Sequence, residues 1–229
     1  MSAHTEQMAA RLAARFGEKL TRRASLPTEL HYDAAAGDLI EVARALRDDP
    51  DLQFKVLIDV SGIDYMDYGR SEWRTVAASS SGFGRGVNRG GHGGLHEGPR
   101  FAVVYQLLSI AHNERLTLRA YCPDDDEPMM DSVVGVWASA NWFERETFDL
   151  FGILFPGHPD LRRILTDYGF IGHPFRKDFP LVGNIEVRYD EQRQRVVYEP
   201  VEIVPRTLVP RVIRDDNRWS PDLKERSGG

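Results

Sequence analysis

The chain has 229 residues, a formal net charge of −6 and a single cysteine, Cys122. That length predicts one large domain, or one domain with an extended tail, able to bury roughly 70% of its unfolded surface without covalent staples. A lone cysteine excludes an internal disulfide and a self-contained iron–sulfur cluster; the acidic balance argues against nucleic acid, and no apolar run approaches the ~18 residues of a membrane span.

The first segment, "MSAHTEQMAARLAARFGEKLTRR", has no uninterrupted apolar core and is therefore not read as a secretory signal. Met8, Leu12 and Phe16 form one stripe, which predicts an amphipathic helix. A second helix is predicted over "GDLIEVARALRDD", where Leu39, Ile40, Val42, Ala43 and Leu46 recur at helical spacing. "FKVLIDVSGID" (Phe54 to Asp64) predicts a buried strand closed by Gly62. "RFAVVYQLLSI" and the alternating "ERLTLRAYC" predict two more strands, joined by a hairpin turn at "AHNE". After "PDDDEP", Asp131 is expected to cap a helix from Ser132.

Between the first two strands lies "AASSSGFGRGVNRGGHGGLHEG", with eight glycines. A phosphate-cradling loop must run from a strand into a helix, whereas "GFGRG" runs into more glycine. A flexible insertion over residues 70–98 is the expectation. Residues 152–183 are rich in Pro and Gly without periodicity, and "IEVRY", "DEQRQ" and "RVVYEPVEI" then spell a hairpin. The last residues carry three prolines and no regular period, which predicts an extended tail. The fold expected is α+β: a small, mostly antiparallel sheet with helices on one face, plus a long irregular C-terminal arm containing a β-hairpin. The divisions expected are residues 1–151, the arm and hairpin at 152–204, and the tail at 205–229.

The most charged of the apolar stretches is "WFERETFDLFGILFPGHPDLRRIL", Trp142 to Leu165. Asn141 and Glu144 resemble a capping box, with Gly152 as the stop. On that helix Glu144, Thr147, Phe148 and Phe151 share a face, while Arg145 and Asp149 lie opposite with Trp142, flanked by Glu146. A catalytic reading pairs Glu144 with His158 as acid and base, but no nucleophile motif is nearby. A metal reading uses His158 and His173 with the acids, yet each histidine precedes a proline and the two lie fifteen residues apart. The third reading is a buried ionic network, with Glu144 and Glu146 matched by Arg162, Arg163 or Arg176. Trp142, Phe155, Tyr168, Phe170, Phe175 and Phe179 add more aromatic surface than a loop covers by itself, which favours an interface.

"ERETFDLFGILFPGHPDLRRIL" resembles the signature of the C subunit, the 30 kDa subunit, of the NADH–quinone oxidoreductase, respiratory complex I. The likeness extends upstream through "LIDVSGIDY", "FAVVYQLLS" and "SANWFERE". Downstream it takes in "LTDYGFIGHPFRKDFPLVG" and "EVRYDEQRQRVVYEPVE". It implies a peripheral-arm subunit that binds no cofactor, within a complex that moves electrons from NADH through FMN and iron–sulfur clusters to quinone while translocating protons. It further implies contact with the D subunit and neighbouring iron–sulfur subunits, at the cytoplasmic face of a bacterial inner membrane rather than the mitochondrial matrix side. Its expected interface network comprises Glu144, Arg145, Glu146, Asp149, His158, Arg162, Arg163, Tyr168, His173, Arg176, Lys177 and Asp178. Alternatives are the equivalent scaffold subunit of a membrane-bound hydrogenase or formate-hydrogenlyase complex, and a stand-alone acid/base enzyme using Glu144 and His158.

Overall fold

The structure, a computed structural model, describes residues 3–66, 68, 98–180 and 183–201. Most of the Gly-rich insertion and the tail beyond Val201 lie outside the described residues. The chain divides into two compact units, one built from residues 1–66 and 97–183, the other containing the hairpin that begins at Ile185.

In the first unit the elements run α1 (Ala3–Phe16), β1 (Leu20–Arg22), β2 (Leu30–Ala34), α2 (Leu39–Asp48), β3 (Val56–Asp64), β4 (Phe101–Ser109), β5 (Glu114–Tyr121) and α3 (Ala140–Phe151). The five strands form one sheet in the order β1-β2-β5-β4-β3. Pairing is antiparallel except between β2 and β5, where Leu30 to Ala34 run parallel to Leu116 to Ala120. The sheet is thus mixed and mostly antiparallel. The sequence pattern did not suggest β1 and β2, and β2 makes the sheet's single parallel pairing, with β5.

The core lies on one sheet face. Phe101, Val103, Tyr105 and Leu107 of β4 are fully buried, as are Leu116, Leu118 and Ala120 of β5. Met8 and Leu12 of α1 and Leu39, Val42, Ala43 and Leu46 of α2 close over them in a single cluster. On β3 a bulge between Leu57 and Asp59 shifts the register. The extra residue resets the alternation, so Leu57 and Val60, three apart, both enter the core.

β3 is an edge strand, whose outward carbonyls would otherwise invite another strand. The segment leading into α3, and α3 itself, occupy that edge. Trp137 Nε1 donates to Phe54 O at 3.1 Å, Ser139 Oγ to Leu57 O at 3.3 Å and Thr147 Oγ1 to Val60 O at 3.2 Å. The close approach explains Gly62, which sits within β3 rather than ending it. A Cβ there would stand 2.7 Å from the Phe151 ring.

No helix starts at Ser132. Val133 O accepts from the N–H groups of Val136 and Trp137, closing a single turn, and α3 begins only at Ala140. Burying Val133, Val136 and Trp137 together takes precedence over helical continuation. The Asn141–Glu144 capping box is also absent, because Ser139 occupies the N-cap position without a side-chain bond and Glu144 is engaged elsewhere. Gly152 does end the helix, in a left-handed conformation (φ 72°).

The second unit is described through its hairpin, β6 (Ile185–Asp190) and β7 (Arg195–Pro200). Its register pairs Ile185 with Pro200, Val187 with Tyr198 and Tyr189 with Val196.

Candidate functional site

An α-helix leaves its last four carbonyls without helical partners. In α3 the residues that follow it supply all four. Gly152 N–H donates to Phe148 O at 2.8 Å, and His173 Nδ1 to Asp149 O at 2.9 Å. Phe175 N–H donates to Leu150 O at 3.0 Å, and Arg176 Nε to Phe151 O at 2.7 Å. The carbonyl partner sets His173 as the Nδ1–H tautomer, and burial lowers its pKa. The histidine of "GHPFR" thus caps the helix through Nδ1. Among the described residues no group of three His, Cys, Asp or Glu could hold a metal ion.

The second fastening is Asp149, fully buried in the last turn of α3. Its Oδ2 accepts the N–H groups of Ile164, Leu165 and Thr166 at 3.0, 2.7 and 2.9 Å. Its Oδ1 accepts the Thr166 hydroxyl and Arg163 Nη1, the latter at 3.2 Å. Burial pushes its pKa up, but the Thr166 hydroxyl and the three N–H groups outweigh burial and hold it down at about 2. Arg163 continues to Gly172 O at 2.9 Å, so one guanidinium ties both ends of the 163–172 loop.

A third fastening joins the arm to the sheet. Asp64, at the end of β3, receives Arg100 Nε at 2.8 Å, Arg100 Nη2 at 2.7 Å and the backbone N–H of Lys177 at 2.8 Å. Arg100 also reaches Asp178 at 2.9 Å. Burial raises the Asp64 pKa, yet Arg100 and the N–H groups of Lys177 and Met66 carry it below its ordinary value.

Glu144 is the fourth, and its chemistry is different. It is fully buried and, among the described residues, meets no cation; Ser132 Oγ donates to it at 2.6 Å and Val133 N–H at 2.7 Å. Burial pushes its pKa up to about 7, partly opposed by those two donors. It holds the turn before α3 in place. The first residues of the arm run beside that turn, with Met130 N–H on Leu154 O and Ser132 N–H on Pro156 O, both at 2.9 Å.

The expected network of Glu144 and Glu146 with Arg162, Arg163 or Arg176 therefore does not form. Arg163 serves Asp149, Arg176 a carbonyl, and Arg162 pairs with Asp160 in solvent at 2.9 Å. Among the described residues Glu146 has no ion-pair partner. Arg145 is buried against the arm, with its guanidinium 4.8 Å from the Trp142 ring. The face of Arg145 and Asp149 is thus covered, not open. Nor do Glu144 and His158 form an acid/base pair: His158 Nε2 donates to Asn141 O at 3.1 Å and its Nδ1 accepts Asp160 N–H at 3.0 Å.

Phe155 belongs to the core, unlike its expected exposure. Trp142, Leu165, Tyr168, Ile171 and Phe175 are instead between 56% and 98% exposed. Beside Phe175 opens a cleft of about 570 Å³ lined by Gly62, Phe151, Pro174 and Phe179 and by the charged Asp64, Arg176 and Lys177. Glu144, Arg145 and Asp149 are turned inward, whereas Trp142, Leu165, Tyr168, Ile171 and Phe175 are turned outward beside the exposed Arg162, Lys177 and Asp178. That arrangement suits contact with another protein better than chemistry on a small molecule.

The family described as "Respiratory-chain NADH dehydrogenase, 30 Kd subunit" matches residues 32–184, a span that includes the helix and its fastenings. The chain belongs to that family. The C subunit of the NADH-quinone oxidoreductase of Halorhodospira halophila is 52% identical over 97% of this chain and 96% of its own. Its counterpart from Coxiella burnetii is 56% identical over 82% of this chain and 83% of its own. A chain of the membrane-bound sulfane sulfur reductase, an archaeal respiratory membrane complex, has the same fold at 17% identity and a TM-score of 0.54, over 78% of this chain and 86% of that one. Against this family background, the residues that sequence reasoning passed over are Asp64, Arg100, Ser132 and Thr166. Asp64 and Arg100 stand at the ends of facing strands, and no local spacing links them.

Proposed function

We propose that the chain is the peripheral-arm C subunit of a proton-translocating NADH:quinone oxidoreductase, and that its task is to hold electron-carrying neighbours in position. The observation that carries this reading is the identity of 52% over nearly the full length of a C subunit. In this reading the chain binds no cofactor, and FMN, the iron–sulfur clusters, NADH and quinone belong to other subunits. One cysteine supplies too few thiolates for a cluster. The partners are the D subunit and adjacent iron–sulfur subunits, and the location is the cytoplasmic face of a bacterial inner membrane. Among the described residues no helix is long and apolar enough to cross a membrane, which fits attachment through partners.

The expected interface set is accordingly divided by role. Glu144, Arg145, Asp149, His158, Arg163, His173 and Arg176 stiffen the arm from within, and the Lys177 backbone and Asp178 fasten its surface to Asp64 and Arg100. Tyr168, with Trp142, Leu165, Ile171 and Phe175, meets the partner. Glu146 and Arg162 lie at the polar rim.

The test is to restore the chain to a strain lacking it, solubilise membranes and measure NADH:quinone activity with the co-purifying subunits. Wild type restores both, with the D subunit recovered, and Ile171→Glu lowers both while the isolated chain melts normally. A wild-type chain recovered alone, or one whose purified form shows flavin or iron–sulfur absorbance, sinks the reading.

A further inference from the structure

Residues 128–134 form a strap that runs beside the first residues of the arm. Leu154 N–H donates to Pro128 O at 2.8 Å, while Met130 N–H donates to Leu154 O and Ser132 N–H to Pro156 O, both at 2.9 Å. Just beyond the strap the chain is pinned from two other directions. Arg47 of α2 donates to Val136 O at 2.6 Å, and Trp137 Nε1 to Phe54 O at 3.1 Å. Towards α3 there is a single tie. Among the described residues Glu144 is the only α3 side chain bonded to the strap, through the Ser132 hydroxyl and the Val133 N–H.

The surroundings of that tie lack positive charge. Glu144 is fully buried, and both of its donors are neutral. The titratable groups that share its interior are Tyr105 of β4, Cys122 after β5 and Asp131 of the strap, none of which can become a cation. Burial raises the pKa of both Tyr105 and Cys122, so neither ionises near neutral pH. Tyr105 Oη is itself buried without a hydrogen-bond partner and does not serve the carboxyl. Arg47, the cation that α2 sends to Val136, is paired with Asp48.

An enclosed carboxylate without a cation costs several kcal/mol, and hydration relieves that cost. Lifting the strap admits water at the expense of a few backbone bonds, while β4 and β5 keep theirs. We propose that Glu144 is a proton-operated latch, whose neutral carboxyl holds residues 128–134 onto α3 and the arm and whose ionisation lifts them from both while the sheet stays folded. Opening releases the proton to water. In the closed form the carboxyl pKa is about 7 against an ordinary 4.5. The open form therefore gains as pH rises from the lower value to the higher, and levels off above it. Leu154 and Pro156 lose their strap partners in the open form, so this proton sets how firmly the arm is held at its root.

The test is amide hydrogen exchange on the full-length chain, read residue by residue across that pH range. Protection of the Met130, Ser132 and Leu154 amides should fall roughly tenfold or more between about pH 5 and pH 7. At the upper pH these amides should exchange at least tenfold faster, relative to their intrinsic rates, than Trp137 and the β5 amide of Leu118. Glu144→Gln should abolish the slope and restore strap protection, whereas Asp131→Asn should leave the wild-type profile. Equal protection of strap and sheet at the upper pH overturns the latch, because Glu144 would then meet water only on global unfolding. A wild-type slope in Glu144→Gln, or its loss in Asp131→Asn, overturns it as well. Should Glu144→Gln fail to fold, the wild-type Glu144 carboxyl ¹³C shift decides: titration near neutral pH supports the latch, and a carboxyl already ionised at about pH 5 removes it.

Discussion

Asp149 reaches out of the last turn of α3 to Thr166, taking its backbone N–H on Oδ2 at 2.9 Å and its hydroxyl on Oδ1. Seventeen residues of chain are thereby closed into a loop by one carboxylate, which also neutralises Arg163. Removing one member of a buried charged network costs about 3–5 kcal/mol, mostly because its partners are left unsatisfied. Asp149→Ala should therefore destabilise the isolated chain by that order in urea unfolding and speed trypsin cleavage at Arg162 and Arg163. Arg162→Ala removes only an exposed pair with Asp160 and should cost less than about 1 kcal/mol. Equal losses from both variants would mean that Asp149 is not the fastening.

The same carboxylate sets an acid limit. Its folded pKa of about 2 lies below the ordinary 3.8. A depressed carboxylate stabilises the fold above its unfolded pKa, and that contribution is lost as pH falls through the folded value. Asp149 should contribute about 2 kcal/mol above pH 4, fading between about pH 4 and pH 2. A pH titration of unfolding free energy should show this slope in wild type and a smaller one in Asp149→Asn.

Glu144 acts in the opposite sense. Its folded pKa is raised to about 7 from 4.5, so the folded state holds a proton that the unfolded state has released. Stability is fully present below pH 4.5 and declines as pH rises towards 7. Glu144→Gln keeps the shape and can still accept the Val133 N–H, but it has no charge to bury. The variant should be more stable than wild type at pH 8, by up to about 3 kcal/mol, and nearly flat in stability between pH 5 and 7. Parallel pH profiles for the two proteins would show that Glu144 is ionised in the fold throughout.

Gly152 joins two demands that no other residue meets. Its φ of 72° belongs to the left-handed region, and a Cβ would lie 2.6 Å from the His173 ring. Gly152→Ala should cost more than the ~1 kcal/mol of backbone strain alone, because His173 must also leave Asp149 O. Hydrogen exchange should report faster exchange of the Phe175 amide, which caps Leu150. Unchanged protection there would show that the cap tolerates a methyl group.

The elements that the sequence determined by itself are those whose signal is local. α2 was legible because its apolar residues recur at helical spacing, β4 as an apolar run joined by a four-residue turn to the alternating β5, and β6 and β7 as a hairpin. The stop at Gly152 and the inability of one cysteine to hold a cluster needed no coordinates, and the run from Glu144 to Leu165 was enough to indicate the family. Tertiary structure decided the rest, because the partners are distant along the chain. β1 and β2, of three and five residues, gain strand geometry from a sheet whose next member starts at Glu114. The expected helix at Ser132 gives way to a single turn whose Val133 and Trp137 are buried and whose Ser132 hydroxyl and Val133 N–H are held by Glu144. Periodicity placed Glu144 and Asp149 on opposite faces of α3, but it could not say that an unperiodic arm would cover the second face. Nor could it say that Glu144 would be met only by a hydroxyl and a backbone N–H, and Asp149 by a hydroxyl, three backbone N–H groups and Arg163. A carboxylate needs donors at about 3 Å, and which ones arrive there depends on the path of the backbone in space rather than on spacing along the chain.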